Sequence, residues 1–196
     1  MMQRRNEETK MTEQQREGVA DGIGVNGETL GILARRRIEA EIIKPIYEIL
    51  KRDCGIERAQ AVIAEAVRGA AIDAGRRFAA REPNGTSVAS FAALQVLWEK
   101  DDALDVQTLR IDDEAYDYDV HRCAYAEMYH AMGLGEIGHL LSCARDAEFI
   151  AGYDPRIALT RTSTIMQGGK RCDFRYRMRD AKPAEAGESV QERADD

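Results

Sequence analysis

The hydrophobic period changes once along this sequence, and no architecture built from one kind of secondary structure can satisfy both halves. From Leu30 to Trp98 apolar residues recur at helical steps. Ile38, Ile42, Ile46 and Ile49 form one such stripe, and Pro45 inside it predicts a kink or a break. A second pattern runs from Ile56 through Val62, Ile63 and Val67 to Phe78, closed by "EPNG", and Thr86 or Ser87 then stands where a third helix needs its N-cap. After Trp98 the period becomes two. "EAYDYDVHRC" puts Tyr116, Tyr118 and Val120 on one face and Asp117, Asp119 and His121 on the other, with "LDVQTLRI" as its hairpin partner across "DDE". "RIALTRTSTIM" and "CDFRYRM" form a second pair joined by "QGGKR". The expectation is an α+β fold, with N-terminal helices packed on an antiparallel sheet built from C-terminal hairpins.

Polar, aperiodic ends bound this core. Residues 1–28 read as a mobile arm and 180–196 as a disordered charged tail, because neither can bury enough apolar surface to offset the entropy of ordering. One domain over 29–179 remains. A net charge of -7 offers no cationic field for phosphates, which argues against nucleic acid as the partner. The absence of an apolar leader or a membrane-length apolar run, with four cysteines and no CxxC pair, leads to the expectation of a cytoplasmic protein with reduced thiols and no membrane partner.

The stretch Gly133 to Asp146, "GLGEIGHLLSCARD", opens with G-x-G-x-x-G. A dinucleotide loop requires a strand directly before the first glycine, and "CAYAEMYHAM" has helical spacing instead, so the glycines read as a break between helices. On a helix from Gly135 to Phe149, about 100° per residue brings Glu136, His139, Cys143 and Asp146 into one stripe beside the buried arc. Imidazole four residues from a thiol can favour thiolate, and a carboxylate can orient the imidazole. The same pattern also describes a boundary histidine beside a buried cysteine. Adding Cys123 and Cys172 would give zinc donors, but no compact ligand pair supports a metal, and neither metal nor cofactor is expected. Arg161 shares a strand face with Ile157, Leu159, Ser163 and Ile165. An inward arginine there would bind a substrate carboxylate or pair with a buried acid such as Asp146.

"RCAYAEMYHAMGLGEIGHLLSCARDAEF" followed by "LTRTSTIMQGGKRCDFRYR" resembles the L-2-amino-thiazoline-4-carboxylic acid hydrolase-like proteins. The motifs carrying the resemblance are a cysteine ahead of the Glu-containing helix, Cys-x-x-Asp at Cys143 to Asp146, and Gly-x-x-x-Cys-Asp-Phe at Gly168 to Phe174. The resemblance implies hydrolytic opening of a small cyclic amidine at a C–N bond, the named activity yielding an N-carbamoyl amino acid. It leaves Cys143, Asp146 and Cys172 as the stronger site residues and does not assign His139. The resulting expectation is a hydrolase that opens a C–N bond in a small, carboxylate-bearing cyclic amidine or amide-like substrate with a cysteine nucleophile. Cys143, Asp146, His139 and Glu136 form its catalytic set, and Arg161, Thr164, Cys172 and Asp173 form its substrate-binding set. A noncatalytic small-molecule-binding domain is the alternative, and assembly into a homo-oligomer through the apolar first helix is a further one.

Overall fold

In the computed structural model, which describes residues 30–179, two long helices precede everything else. The arm and the tail therefore lie outside the described residues. Helix α1 spans Ile32–Cys54 and α2 spans Ile56–Ala79. Gly55 alone separates them at φ 81°, a left-handed value that a side chain would resist, and its N–H caps α1 on the carbonyl of Lys51. Pro45 sits inside α1 without ending it. It lies on the exposed side, where water can satisfy the carbonyl one turn back that loses its donor.

The face that α1 buries is not the one its isoleucines mark. Ala40 and Tyr47 are buried, whereas Ile38, Ile42, Ile46 and Ile49 are 45–63% exposed. Small Ala40 lets the helix approach its neighbours, and the stripe of isoleucines points away from the core. Helix α2 behaves as its pattern requires, burying Ala59, Ile63, Val67, Ala71 and Phe78. Ser87 then caps α3 (Val88–Ala93) in a reciprocal capping box with Ser90, and α4 (Val96–Glu99) follows after a break. The expected single third helix is thus two short ones.

Strands β1 (Leu104–Ile111) and β2 (Ala115–Cys123) form the first hairpin, and β3 (Ile157–Thr160) pairs antiparallel with β4 (Cys172–Met178). The sheet order is β1-β2-β4-β3, with β2 antiparallel to β4, so the two hairpins join through their second strands. Tyr116, Tyr118 and Val120 pair across this seam with Tyr176, Phe174 and Cys172. All six are buried. They meet Phe78, Phe91 and Phe149 from the helices, with ring centroids 4.8 Å apart for Phe91 and Tyr176. The opposite face carries Asp117 and Asp119 beside Arg175 and Arg177.

Between the hairpins, α5 (Ala124–Ala131) ends before Gly133, so a helix precedes the glycines of the opening motif. A π-helical turn at His139–Cys143 then feeds α6 (Ala144–Tyr153). Helix α6 lies directly on α2: a Cβ on Gly152 would stand 2.1 Å from the carbonyl oxygen of Ile72, and one on Gly75 2.2 Å from that of Phe149. No helix among the described residues is long and apolar enough to cross a membrane.

Candidate active site

Two apolar clusters fill the interior, one under α1 and α5 and one between the sheet and α2, α3 and α6. Trp98, Leu104 and Cys123 pack against both, and at this seam the packing leaves a cavity enclosing about 80 Å³. A water-sized site needs roughly 10–15 Å³ on this measure, so the space fits a small ring rather than a polymer.

Cys143, Asp146, Arg161 and Cys172 all line it. The thiol and the carboxylate belong to the start of α6, three residues apart and so on the same side of the helix. Arg161 follows the last residue of β3 and turns inward, its guanidinium carbon 4.8 Å from the centre of the Phe174 ring. One of its nitrogens donates to Asp146 Oδ2 at 2.5 Å and the other to the backbone carbonyl of Cys143 at 2.8 Å. The pairing with Asp146, one of the two roles expected for Arg161, is formed. Cys172, on β4, accepts a 3.2 Å bond from the N–H of Ile165.

Burial sets the acidities here. The Cys143 thiol is pushed up to about 12, by desolvation first and by the neighbouring Asp146 carboxylate second. It therefore rests as a thiol near neutral pH. Cys123 rises to about 11 for the same principal reason, and Cys172 also rises. Desolvation lifts Asp146 above the usual carboxylate range, only partly offset by Arg161. A protonated thiol beside a carboxylate with raised proton affinity can pass its proton along a short path when an electrophile arrives.

The remaining expected site residues stand elsewhere. Glu136 is exposed and held by the Tyr47 hydroxyl at 2.9 Å and Lys51 at 2.7 Å, and His139 is not part of the cavity wall. The expected stripe assumed an unbroken α-helical period. The turn preceding Glu136 and the π-helical turn at His139–Cys143 rotate these two residues away from Cys143 and Asp146. Thr164 is buried, but its hydroxyl donates to Gln167 Oε1 at 2.9 Å outside the cavity. Asp173 ties down the loop after Arg161, accepting from the N–H groups of Thr162 and Ser163 at 2.9 and 2.6 Å. Burial would raise the Asp173 carboxyl, yet hydrogen bonds from Thr162 and Ser163 hold it below the usual range.

Polar groups that were not anticipated also line the cavity. Arg36 on α1 and Arg145 on α6 both reach the wall, and so does Gln95. Gln95 Nε2 is the one buried side-chain nitrogen or oxygen without a hydrogen-bond partner among the described residues. The signal for Arg36 was in the sequence: it lies four residues before Ala40 and eleven before Tyr47, in phase with the residues α1 buries. Among the described residues no three His, Cys, Asp or Glu side chains gather to hold a metal ion.

Residues 35–176 match the model of a family described as L-2-amino-thiazoline-4-carboxylic acid hydrolase. No curated protein matches the sequence. Among solved structures, the chain is similar to the phenol-responsive sensory domain of the transcription activator PoxR with phenol, at 13% identity and a TM-score of 0.48 over 78% of each chain. It is also similar to a trafficking protein particle complex subunit 3 from Naegleria fowleri covalently bound to palmitic acid, at 11% identity and a TM-score of 0.46 over 75% of this chain and 96% of that one.

Proposed function

The chain belongs to the L-2-amino-thiazoline-4-carboxylic acid hydrolase family, and we propose that it hydrolyses a small cyclic amidine bearing a carboxylate, with Cys143 as the nucleophile. The observation carrying this reading is the convergence of a thiol, a carboxylate and an arginine on one partly open cavity of small-ring size. An amidine is readily protonated, and its cation complements Asp146 while its central carbon is electrophilic.

Attack begins from the thiol, since burial keeps Cys143 protonated. Its proton passes to Asp146 as sulfur bonds to the amidine carbon, giving a tetrahedral adduct. The ring heteroatom then leaves and takes that proton. For an aminothiazoline the departing atom is the ring sulfur, because an N-carbamoyl product keeps both nitrogens on the carbon. A ring without sulfur would open at the C–N bond. The remaining isothiourea on Cys143 adds water and expels the thiol, leaving a urea. One water is consumed and no redox partner is needed. Asp146 activating water directly, with Cys143 as pocket wall, is the competing route to the same product.

Turnover of 2-aminothiazoline-4-carboxylate by Cys143→Ala and Cys143→Ser separates the routes. We expect both variants to lose about three orders of magnitude in kcat or more, with a mass adduct on Cys143 in the wild type quenched during turnover. Near-normal rates in both variants would rule out the covalent route. The high proton affinity of the Cys143 thiol favours a second reading, a noncatalytic binding domain. Under that reading the wild type is thermally stabilised by the acid and releases no product.

A further inference from the structure

Three guanidinium groups, those of Arg36, Arg145 and Arg161, reach the cavity wall, and two carboxylates, Glu39 and Asp146, stand against them. Arg161 has its two terminal nitrogens committed to Asp146 and to the Cys143 carbonyl. The other two converge on Glu39. Arg36 Nη1 donates to both of its oxygens, at 2.6 and 2.8 Å, and Arg145 Nη2 donates to Oε2 at 2.9 Å. Two cations thus share one carboxylate oxygen, with side-chain exposures of only 20% and 13%.

We propose that Arg36 and Arg145 are the carboxylate subsite of this cavity, and that Glu39 is the internal counter-ion standing in for the substrate's carboxylate when the site is empty. The assignment rests on the hydrolase reading for the identity of the ligand and deepens it by naming what holds the acid end of the ring. Each guanidinium carries five N–H donors, and among the described residues only part of each set is used. Arg36 bonds through Nη1, and Arg145 through Nη2 and, by Nε, to the Leu141 carbonyl at 2.7 Å. A planar anion entering between them meets unused donors from both arginines, the arrangement in which arginine recognises carboxylates. Arg145 is also undercompensated: burial first, and the charge of Arg36 second, lower its proton affinity. A further anion relieves that repulsion. Glu39, with 39% of its side chain exposed, is free to yield its place towards solvent. With the carboxylate held there, the amidine end of the ring is left for Asp146 and Cys143.

The test is calorimetric titration of the full chain with 2-aminothiazoline-4-carboxylate and with 2-aminothiazoline, which lacks the acid group, alongside turnover. Arg145 also holds the π-helical turn, so Arg36→Met and Glu39→Gln carry the experiment, each checked for an unchanged fold by circular dichroism. Arg36→Met should weaken the acid about tenfold or more while changing the affinity for the acid-free ring less than about twofold. Glu39→Gln should tighten the acid by a few-fold, having removed the internal competitor. If Arg36→Met weakens both rings alike or neither, the subsite is wrong. Wild-type protein that binds the acid without turnover defeats the hydrolase reading yet leaves the subsite standing, provided Arg36→Met loses that binding. Wild-type protein that binds neither ring overturns both.

Discussion

Aspartate–arginine pairs occur on both faces of the sheet, in surroundings that give them different work. On the outer face Asp117 is bound by Arg177 through two contacts, one at 2.8 Å, and Asp119 by Arg175 and Arg171 at 2.8 and 3.0 Å. Arg175 and Arg177 reach across from β4 to β2, Arg171 from the residue before β4, and the three arginine side chains remain 28–55% exposed. On the inner side Arg161 is 13% exposed and spans from Asp146 to the backbone of Cys143, over the face of Phe174. Water can reach the outer arginines when an aspartate is lost, although Asp117 and Asp119 are themselves buried. Arg161 is the most deeply buried of these arginines and lies at the cavity, so the inner pair is the one whose disruption reaches the proposed chemistry as well as stability.

The largest contrast is therefore expected between Asp146→Ala and Asp119→Ala. Chemical denaturation should show a loss of about 3–5 kcal/mol for the first, which strands Arg161, and about 1–2 kcal/mol for the second. In turnover assays Asp146→Asn should cost about a hundredfold or more, and Asp119→Asn almost nothing. Comparable losses at both positions would erase the distinction between the two faces.

A smaller, pH-dependent effect follows from Cys143. Its folded pKa stands at about 12 against 9.0 for an ordinary thiol. Above pH 9 the unfolded chain releases a proton that the folded chain retains, so stability falls as pH rises from 9 towards 12 and is fully present below 9. The unfolding midpoint of the wild type should drop more steeply over that window than that of Cys143→Ala. Iodoacetamide should meanwhile modify exposed Cys54 well before Cys143 at neutral pH. The smallest change concerns Gln95. Replacing the Gln95 amide, whose buried Nε2 has no partner among the described residues, by the apolar chain of similar length in Gln95→Met leaves the empty protein unchanged or stabilises it by up to about 1 kcal/mol. A clear loss of stability would mean that Gln95 contributes to the core.

What could be seen in advance divides along physical lines. The change of hydrophobic period gave the two long helices, the pairing of both hairpins and the inward faces of β2 and β4, because alternation records which side of a strand meets the core; the strand expected through "RIALTRTSTIM" spans only Ile157–Thr160, so Arg161, Ser163 and Ile165 lie beyond it. A cap at Thr86 or Ser87 was recognisable for a similarly local reason, and Ser87 is the one that caps. The isoleucines of α1 show the limit of periodicity, which identifies a helix without saying which side is covered. The π-helical turn had no mark in "HLLSC", since an extra residue in the helical repeat is a response to packing. Cys143 and Asp146 could be grouped because they share one turn at the start of α6, and Glu136 and His139 could not be excluded until the π-helical turn was known. Arg36 and Arg145 are 109 positions apart in the chain, and only the approach of α1 to α6 joins them.

The absent side chains of Gly75 and Gly152 have a consequence for all of this. Backbone rests on backbone where α6 crosses α2, so that contact works as a fixed bearing: it sets how far the thiol end of α6 projects towards the sheet. A single added methyl there would lift the helix as a rigid lever and shift Cys143, Arg145 and Asp146 together, detuning the spacing between the attacking atom and both ends of a bound ring without touching any of them.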